Sequence, residues 1–345
     1  MGRIAVLLIL AIPAFSGDWN PKLAADYMDA RQKAWFAWPR ANSSGAACMS
    51  CHTGMTYMLV RPELRRVLGE KQRTEWEEGY SRTLRARADK QAPANPAALD
   101  GYGTDSVLGA FVLAAEDGGA LTAEARKAFD RMWAAQMPDG GWRWYSLNDD
   151  PWEMPESRFF GAALAAVAVG NAPAEYRTRP DVVEHASNLA RFLSRDEGQP
   201  FHNRLAALWA SSNFPDLRAR RKAIIDQARM TQQKDGGWTI ASLGPWRAHP
   251  EAAVSEGSNA YATAFTAFAL EKGGVAASDP MLKSALDWLR SHQDSKGGYW
   301  DAPSMNHKYE AGSMMEFFMR DAATGFAALA LLNGGEARVQ DSARP

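Results

Sequence analysis

The chain alternates between two kinds of helical segment. Four stretches, 122–136, 181–194, 217–232 and 279–293, set apolar residues at helical spacing against a charged opposite face. Each is followed by an Ala-rich helix that is apolar nearly all round, at 156–169, 203–211, 256–270 and 321–332. An amphipathic helix buries one face and an all-apolar helix buries every face, so the alternation predicts two layers with the apolar set inside. The pattern extends backwards, with inner helices at 104–115 and 53–60 and outer ones at 22–36 and 73–88. Six hairpins result, and the expected fold class is all-α with negligible sheet.

Glycine punctuates the hairpins at a repeated phrase. Gln136-Met137-Pro138-Asp139-Gly140-Gly141-Trp142, Gln232-Gln233-Lys234-Asp235-Gly236-Gly237-Trp238 and Gln293-Asp294-Ser295-Lys296-Gly297-Gly298-Tyr299 each read Gln, three residues, Gly, one residue, ring. A degenerate fourth copy runs from Arg195 through Gly198 to Phe201 without the glutamine. A period of tens of residues with glycine turns indicates a helical repeat array. These phrases resemble the Gln-Trp motifs of the squalene-hopene and oxidosqualene cyclases and related turns of protein prenyltransferases. The resemblance covers roughly residues 100–335 and implies an α/α toroid, an inner ring of helices inside an outer ring, with a cavity at the centre.

The chemistry of that family does not follow. The Asp-x-Asp-Asp acid of the class II cyclases is absent, and the prenyltransferase zinc site needs a cysteine that this chain has no reserve of. Asp149-Asp150-Pro151-Trp152-Glu153 superficially resembles a diphosphate–magnesium motif, but Pro151 interrupts it in a loop. Its carboxylates read as a solvated loop.

Charge narrows the partners. Lys and Arg number 39 against 40 Asp and Glu, with no basic tract suited to nucleic acid. Residues 1–16 read as a secretory signal peptide: Arg3, a short apolar core at 4–12, and a small-x-small cleavage site at Ala14-Phe15-Ser16. That core is too short to span a bilayer, so no transmembrane anchor is expected and the mature chain is expected in the periplasm. The expected organisation is a leader at 1–16, haem-bearing hairpins at 17–99, repeats at 100–335 closing the same toroid, and a disordered tail at 336–345.

The cysteines change the picture most. Only two are present, in Cys48-Met49-Ser50-Cys51-His52, the attachment spacing of a c-type haem. Two thiols three positions apart can each form a thioether to one haem vinyl group, and His52 can reach the iron as proximal ligand. A thioredoxin-like pair, half a zinc site and a lone disulfide are the competing readings. Zinc normally wants a second ligand pair, and a thioredoxin pair belongs in a βαβ pattern. The motif immediately precedes the first inner helix, which places one covalent haem c at the N-terminal mouth of the barrel. Long inserts at 143–155, 239–255 and 300–320 return to that face, carrying His249, Met305, His307, Met314 and Met315 as roof candidates.

A distal iron ligand is sought in His202 or His307, or in a roof methionine. Opposite inner helices would leave a gap of roughly 14–15 Å between backbones, about what two imidazoles and an iron fill, which brings His202 into consideration. His185 and His292 fall on outer helices, facing solvent. The expected function is an exported monohaem redox protein with an unidentified electron partner. The alternatives are a haem enzyme oxidising an apolar or isoprenoid-like small molecule in the ring, and a haem-based small-ligand sensor.

Overall fold

Helices begin where the sequence offers caps. In the computed structural model, which describes residues 19–42, 46–147, 149–247, 249–252, 256–305 and 307–335, thirteen α-helices form. They are α1 (Pro21–Ala37), α2 (Gly54–Leu68), α3 (Glu75–Ala86), α4 (Leu99–Glu116), α5 (Ala123–Ala134), α6 (Ser157–Asn171), the one-turn α7 (Ala174–Arg177), α8 (Pro180–Leu193), α9 (Phe201–Ala210), α10 (Arg221–Thr231), α11 (Ala260–Lys272), α12 (Pro280–Ser291) and α13 (Phe318–Gly335). Asn20, Thr122, Asn259 and Asp279 accept backbone N–H bonds as caps of α1, α5, α11 and α12. Thr74 and Glu77 form a reciprocal capping box on α3. The described residues contain no strand, only isolated bridges. The leader at 1–16 and the tail at 336–345 lie outside the described residues.

Six helices form the inner ring: α2, α4, α6, α9, α11 and α13 pack in that order, and α13 returns to α2. Every residue of α11 from Ala260 to Leu270 is buried, as the all-apolar pattern requires. Outside stand α1, α3, α5, α8, α10 and α12, each burying one face. The architecture is an α/α toroid, with six hairpins as expected.

The glutamine phrases are the latches between hairpins. Gln136 Nε2 donates to Gly140 O within its own turn and to His185 O on α8, at 3.0 and 3.1 Å. Gln232 Nε2 repeats this with Gly236 O and Met281 O of α12, both at 2.8 Å. Gln293 Nε2 donates to Gly298 O and to Asn20 O at the start of α1, at 2.8 and 3.0 Å, so the last phrase closes the ring. His185 is thus half-buried in a latch, stacked on Trp133, whereas His292 is exposed as expected.

The third phrase carries one extra residue. Gly140 and Gly236 have φ of +96°, and the equivalent left-handed position is Gly298 at +75°, not Gly297. A Cβ at these three sites would lie 2.1 to 2.6 Å from a carbonyl oxygen of the next outer helix. The ring two positions on is therefore Trp300. Its Nε1 donates to Leu289 O at 2.7 Å, as Trp142 donates to Met132 O and Trp238 to Ala228 O. Tyr299, the expected equivalent, lies half-buried against Tyr27 and beneath Arg320. The degenerate copy has a left-handed Gly198 where a Cβ would meet nothing within 4 Å, so it is a turn without a latch.

The expected central cavity is filled at its middle. Phe111 of α4 meets Trp209 of α9 at 5.5 Å between ring centres, and Trp209 meets Phe326 of α13 at 6.5 Å. Phe265 and Phe268 pack into the same group. All five rings are buried, so aromatic packing replaces the hollow.

The register correction predicts unequal costs. Trp300→Ala should destabilise the fold by about 3–5 kcal/mol, the usual cost of deleting a buried large ring. Tyr299→Ala should cost less than half as much. Urea unfolding of both variants checks this, and equal losses would restore Tyr299 as the repeat ring.

Candidate functional site

The segment Cys48–His52 is pinned from three sides before α2 begins. Cys48 N donates to Ala41 O at 2.9 Å, and Trp35 Nε1 of α1 donates to Cys48 O at 3.0 Å. Ser50 Oγ accepts from Thr53 N and Gly54 N, capping the turn that feeds α2. Gln32 Nε2 donates to Thr53 O at 3.1 Å, and Gln32 Oε1 accepts from the buried Tyr80 hydroxyl at 2.8 Å. A Cβ at Gly54 would lie 2.8 Å from that hydroxyl, so glycine permits the close approach.

Both thiols are free, with Cys48 half-buried and Cys51 buried. Burial pushes the Cys48 thiol up to about 11 and the Cys51 thiol well above its ordinary value. Such thiols stay protonated, unlike the activated thiolate of a redox pair. Burial, with Arg31 second, lowers His52 to about 3, so its imidazole is neutral across the physiological range. The His52 ring stacks on Phe318 at 3.7 Å and touches Trp35 and Trp152.

A cavity of about 870 Å³ opens directly onto Cys48, Cys51 and His52. It lies at the N-terminal ends of α2, α4 and α13, the mouth of the inner ring. Gly101, Tyr102 and Asp105 of α4 form one wall, and Tyr145, Asp149 and Glu153 of the 143–155 insert form another. His307, Tyr309 and Met315 come from the 300–320 insert. Arg40, Arg87, Lys90 and Arg131 supply cations around it. Arg131 and Arg87 reach Asp105 at 2.8 and 3.6 Å, while the buried Arg131 Nε has no hydrogen-bond partner. Among the described residues of the 239–255 insert, expected to roof this space, none lines it.

The candidate distal ligands separate. His307 and Met315 line the cavity. His202 does not: it is buried inside the ring, its Nε2 2.8 Å from the Tyr261 hydroxyl. Trp152 Nε1 donates to that hydroxyl at 3.1 Å, which leaves the Tyr261 proton for His202 Nε2. Its lone pair is therefore occupied, and Trp152 and Tyr261 fill the space between His202 and His52. His249 faces Asp150 at 3.2 Å.

The acidic loop is a second correction. Asp150 and Trp152 are buried, and Asp149 and Glu153 face the cavity rather than bulk water. Burial first, then Glu153 and Asp150, raises Asp149 to about 8, and burial raises Glu153 to about 7. Pro151 and Trp152 amid the carboxylates were the available signal, because an indole in a loop must pack somewhere. Among the described residues no three His, Cys, Asp or Glu side chains gather to hold a metal ion.

The family model of the squalene-hopene cyclase C-terminal domain matches residues 203–345. No curated protein matches the chain. The match begins at α9 and covers two of the three latched phrases, in agreement with the cyclase-like toroid. Among the described residues no helix is long and apolar enough to cross a membrane.

The raised carboxyls predict a pH trend. Glu153 binds its proton more tightly folded than unfolded, so its stabilising contribution is complete below about 4.5 and is lost as pH climbs through about 7. Glu153→Gln should therefore raise stability at pH 8 by about 1–2 kcal/mol after solvent screening, with no gain at pH 4. Urea midpoints at the two pH values check it.

Proposed function

We propose that this chain is an exported redox protein carrying one haem c, bound through Cys48 and Cys51 with His52 as proximal ligand. The observation that carries the reading is that these three residues share one cavity wall at the mouth of the toroid. Its volume lies within the range of cofactor pockets.

The donor set fits the group. A neutral His52 is the form that ligates iron, and the paired thiols are unbridged and adjacent to the cavity. Haem would bring two carboxylates; Arg40, Arg87, Lys90 and the partnerless Nε of Arg131 supply the complementary charge. Haem supplies one-electron chemistry, while the protein's part is to bind, orient and exclude water. Trp35, Phe318 and Trp152 hold the His52 ring in a dry setting. The open side of the mouth is where an electron partner would approach. His307 or Met315, both on the cavity wall, would supply a second ligand to the iron.

A haem enzyme is the second reading, favoured by Asp149 and Glu153, which hold protons near neutrality on the cavity wall. An apolar substrate would have to lodge at the mouth, because aromatic rings occupy the ring's middle.

Expression with a c-type maturation system should give a haem-staining band on a denaturing gel, resistant to acid–acetone. Cys48→Ala/Cys51→Ala should remove it, and persistence of the stain would sink the proposal. Carbon monoxide added to the ferrous protein separates the two readings. Electron transfer predicts no prompt Soret shift; a prompt shift favours the enzyme.

A further inference from the structure

His52 is not an isolated imidazole. Its Nδ1 lies 2.9 Å from Thr53 Oγ1, and Thr53 Oγ1 lies 2.7 Å from Asp321 Oδ2 of α13. A hydroxyl has one proton. The Asp321 carboxylate can only accept, so that proton points to Asp321 and the Thr53 lone pairs face His52. Nδ1 must then carry the imidazole proton and donate it, which leaves the lone pair on Nε2.

Asp321 is equipped for this role. It is fully buried, and three other donors converge on it: Arg31 Nε and Nη2 at 2.7 and 3.0 Å, and the Tyr27 hydroxyl at 2.8 Å. Burial and the adjacent carboxylate push the Tyr27 hydroxyl far above its ordinary value, so it remains a donor. With these groups fixed, the carboxylate cannot turn away from Thr53.

We propose that Asp321, acting through Thr53, is a positioning residue that fixes the His52 tautomer and ring orientation and strengthens Nε2 as a donor to iron. The proposal rests on His52 being the proximal ligand. Hydrogen bonding to the far nitrogen of a ligating histidine raises its basicity, and a stronger donor favours the ferric state. The relay therefore holds the midpoint potential down. Sequence position gives no hint of it, since Thr53 and Asp321 are 268 residues apart.

Thr53→Val keeps the shape and removes the hydroxyl; Thr53→Ser keeps the hydroxyl. In the haem-loaded full-length chain, Thr53→Val should shift the ferric–ferrous equilibrium about tenfold toward ferrous, a rise of about 59 mV for one electron. In a His307→Gly/Met315→Gly background, which frees the ferrous iron of a second protein ligand, the iron–histidine stretch in resonance Raman should fall in frequency. Thr53→Ser should restore both. An unchanged potential and stretch in Thr53→Val, or a Thr53→Ser variant that behaves like Thr53→Val, would overturn the proposal and leave Asp321 a purely structural anchor. Should the wild-type chain carry no haem, the ligation reading fails by itself. The relay is then tested separately by ¹⁵N chemical shifts of His52 in that chain. A proton on Nδ1 supports it, and a proton on Nε2 defeats it.

Discussion

The buried ion pair between Arg31 and Asp321 is the constraint on which the rest depends. It joins α1, the first outer helix, to α13, the last inner one, and through Thr53 it also grips the start of α2. A ring of hairpins has to join its two ends somewhere, and here the join is polar. Removing one partner of such a pair strands a charge in a dry interior, typically at a cost of about 3–5 kcal/mol. Apolar packing completes the seam: a Cβ at Gly325 of α13 would lie 2.6 Å from Thr56 Cβ of α2, so the two helices are in near-backbone contact. The Gln293 latch to Asn20 ties the outer layer at the same junction. The segment bearing Cys48, Cys51 and His52 is therefore built at the point where the ring closes. Any loosening of closure would be felt first by His52.

Filling the ring's middle moves the chemistry outward. A toroid with small residues along its inner face has room for a substrate at the centre. Here Phe111, Trp209, Phe265, Phe268 and Phe326 meet across it, with Tyr261 and His202 above them. The space that remains lies off-axis, between the starts of α2, α4 and α13. Inner-helix N-termini present partial positive charge there, which adds to the arginines and lysine of the wall. Such a mouth suits an anionic, flat, largely apolar group better than a neutral hydrocarbon.

The helices were legible because period and burial are local. The apolar inner segments and charged outer ones appear where expected, with ends moved by caps such as Thr74 and by the 3₁₀ turn of Pro215–Arg220 before α10. The register of the third phrase differs by one residue from the sequence pattern because Gly297 and Gly298 are adjacent glycines, and only the backbone shows which one adopts positive φ. His202 failed for a different reason. The helix spacing was a sound guide to the gap, but side-chain volume decides what fills it, and Trp152 with Tyr261 does so. Asp149 and Glu153 look like wet surface by polarity alone, and it is the packing of the loop around the buried Trp152 that takes them out of bulk water. The Arg31–Asp321–Thr53 network could not be read at all, since nothing local links positions so far apart.

On the proposed haem reading, the electrostatics of the mouth bear on what kind of redox site it would be. His52 is neutral and its lone pair is directed by a buried carboxylate two hydrogen bonds away, which would favour the more oxidised state of a metal bound there. Asp149 and Glu153 add nothing to this when protonated, because a neutral wall gives no extra stabilisation to positive charge. As they ionise on the alkaline side of neutrality, their charge would join that of Asp321 in favouring the oxidised state. Electron gain by a haem held there would thus be linked to proton gain on the insert wall. That linkage is of use to an electron carrier that must release its charge at a defined pH, and equally to an enzyme that must deliver a proton with each electron. The open mouth, not the filled ring, is where the two would meet.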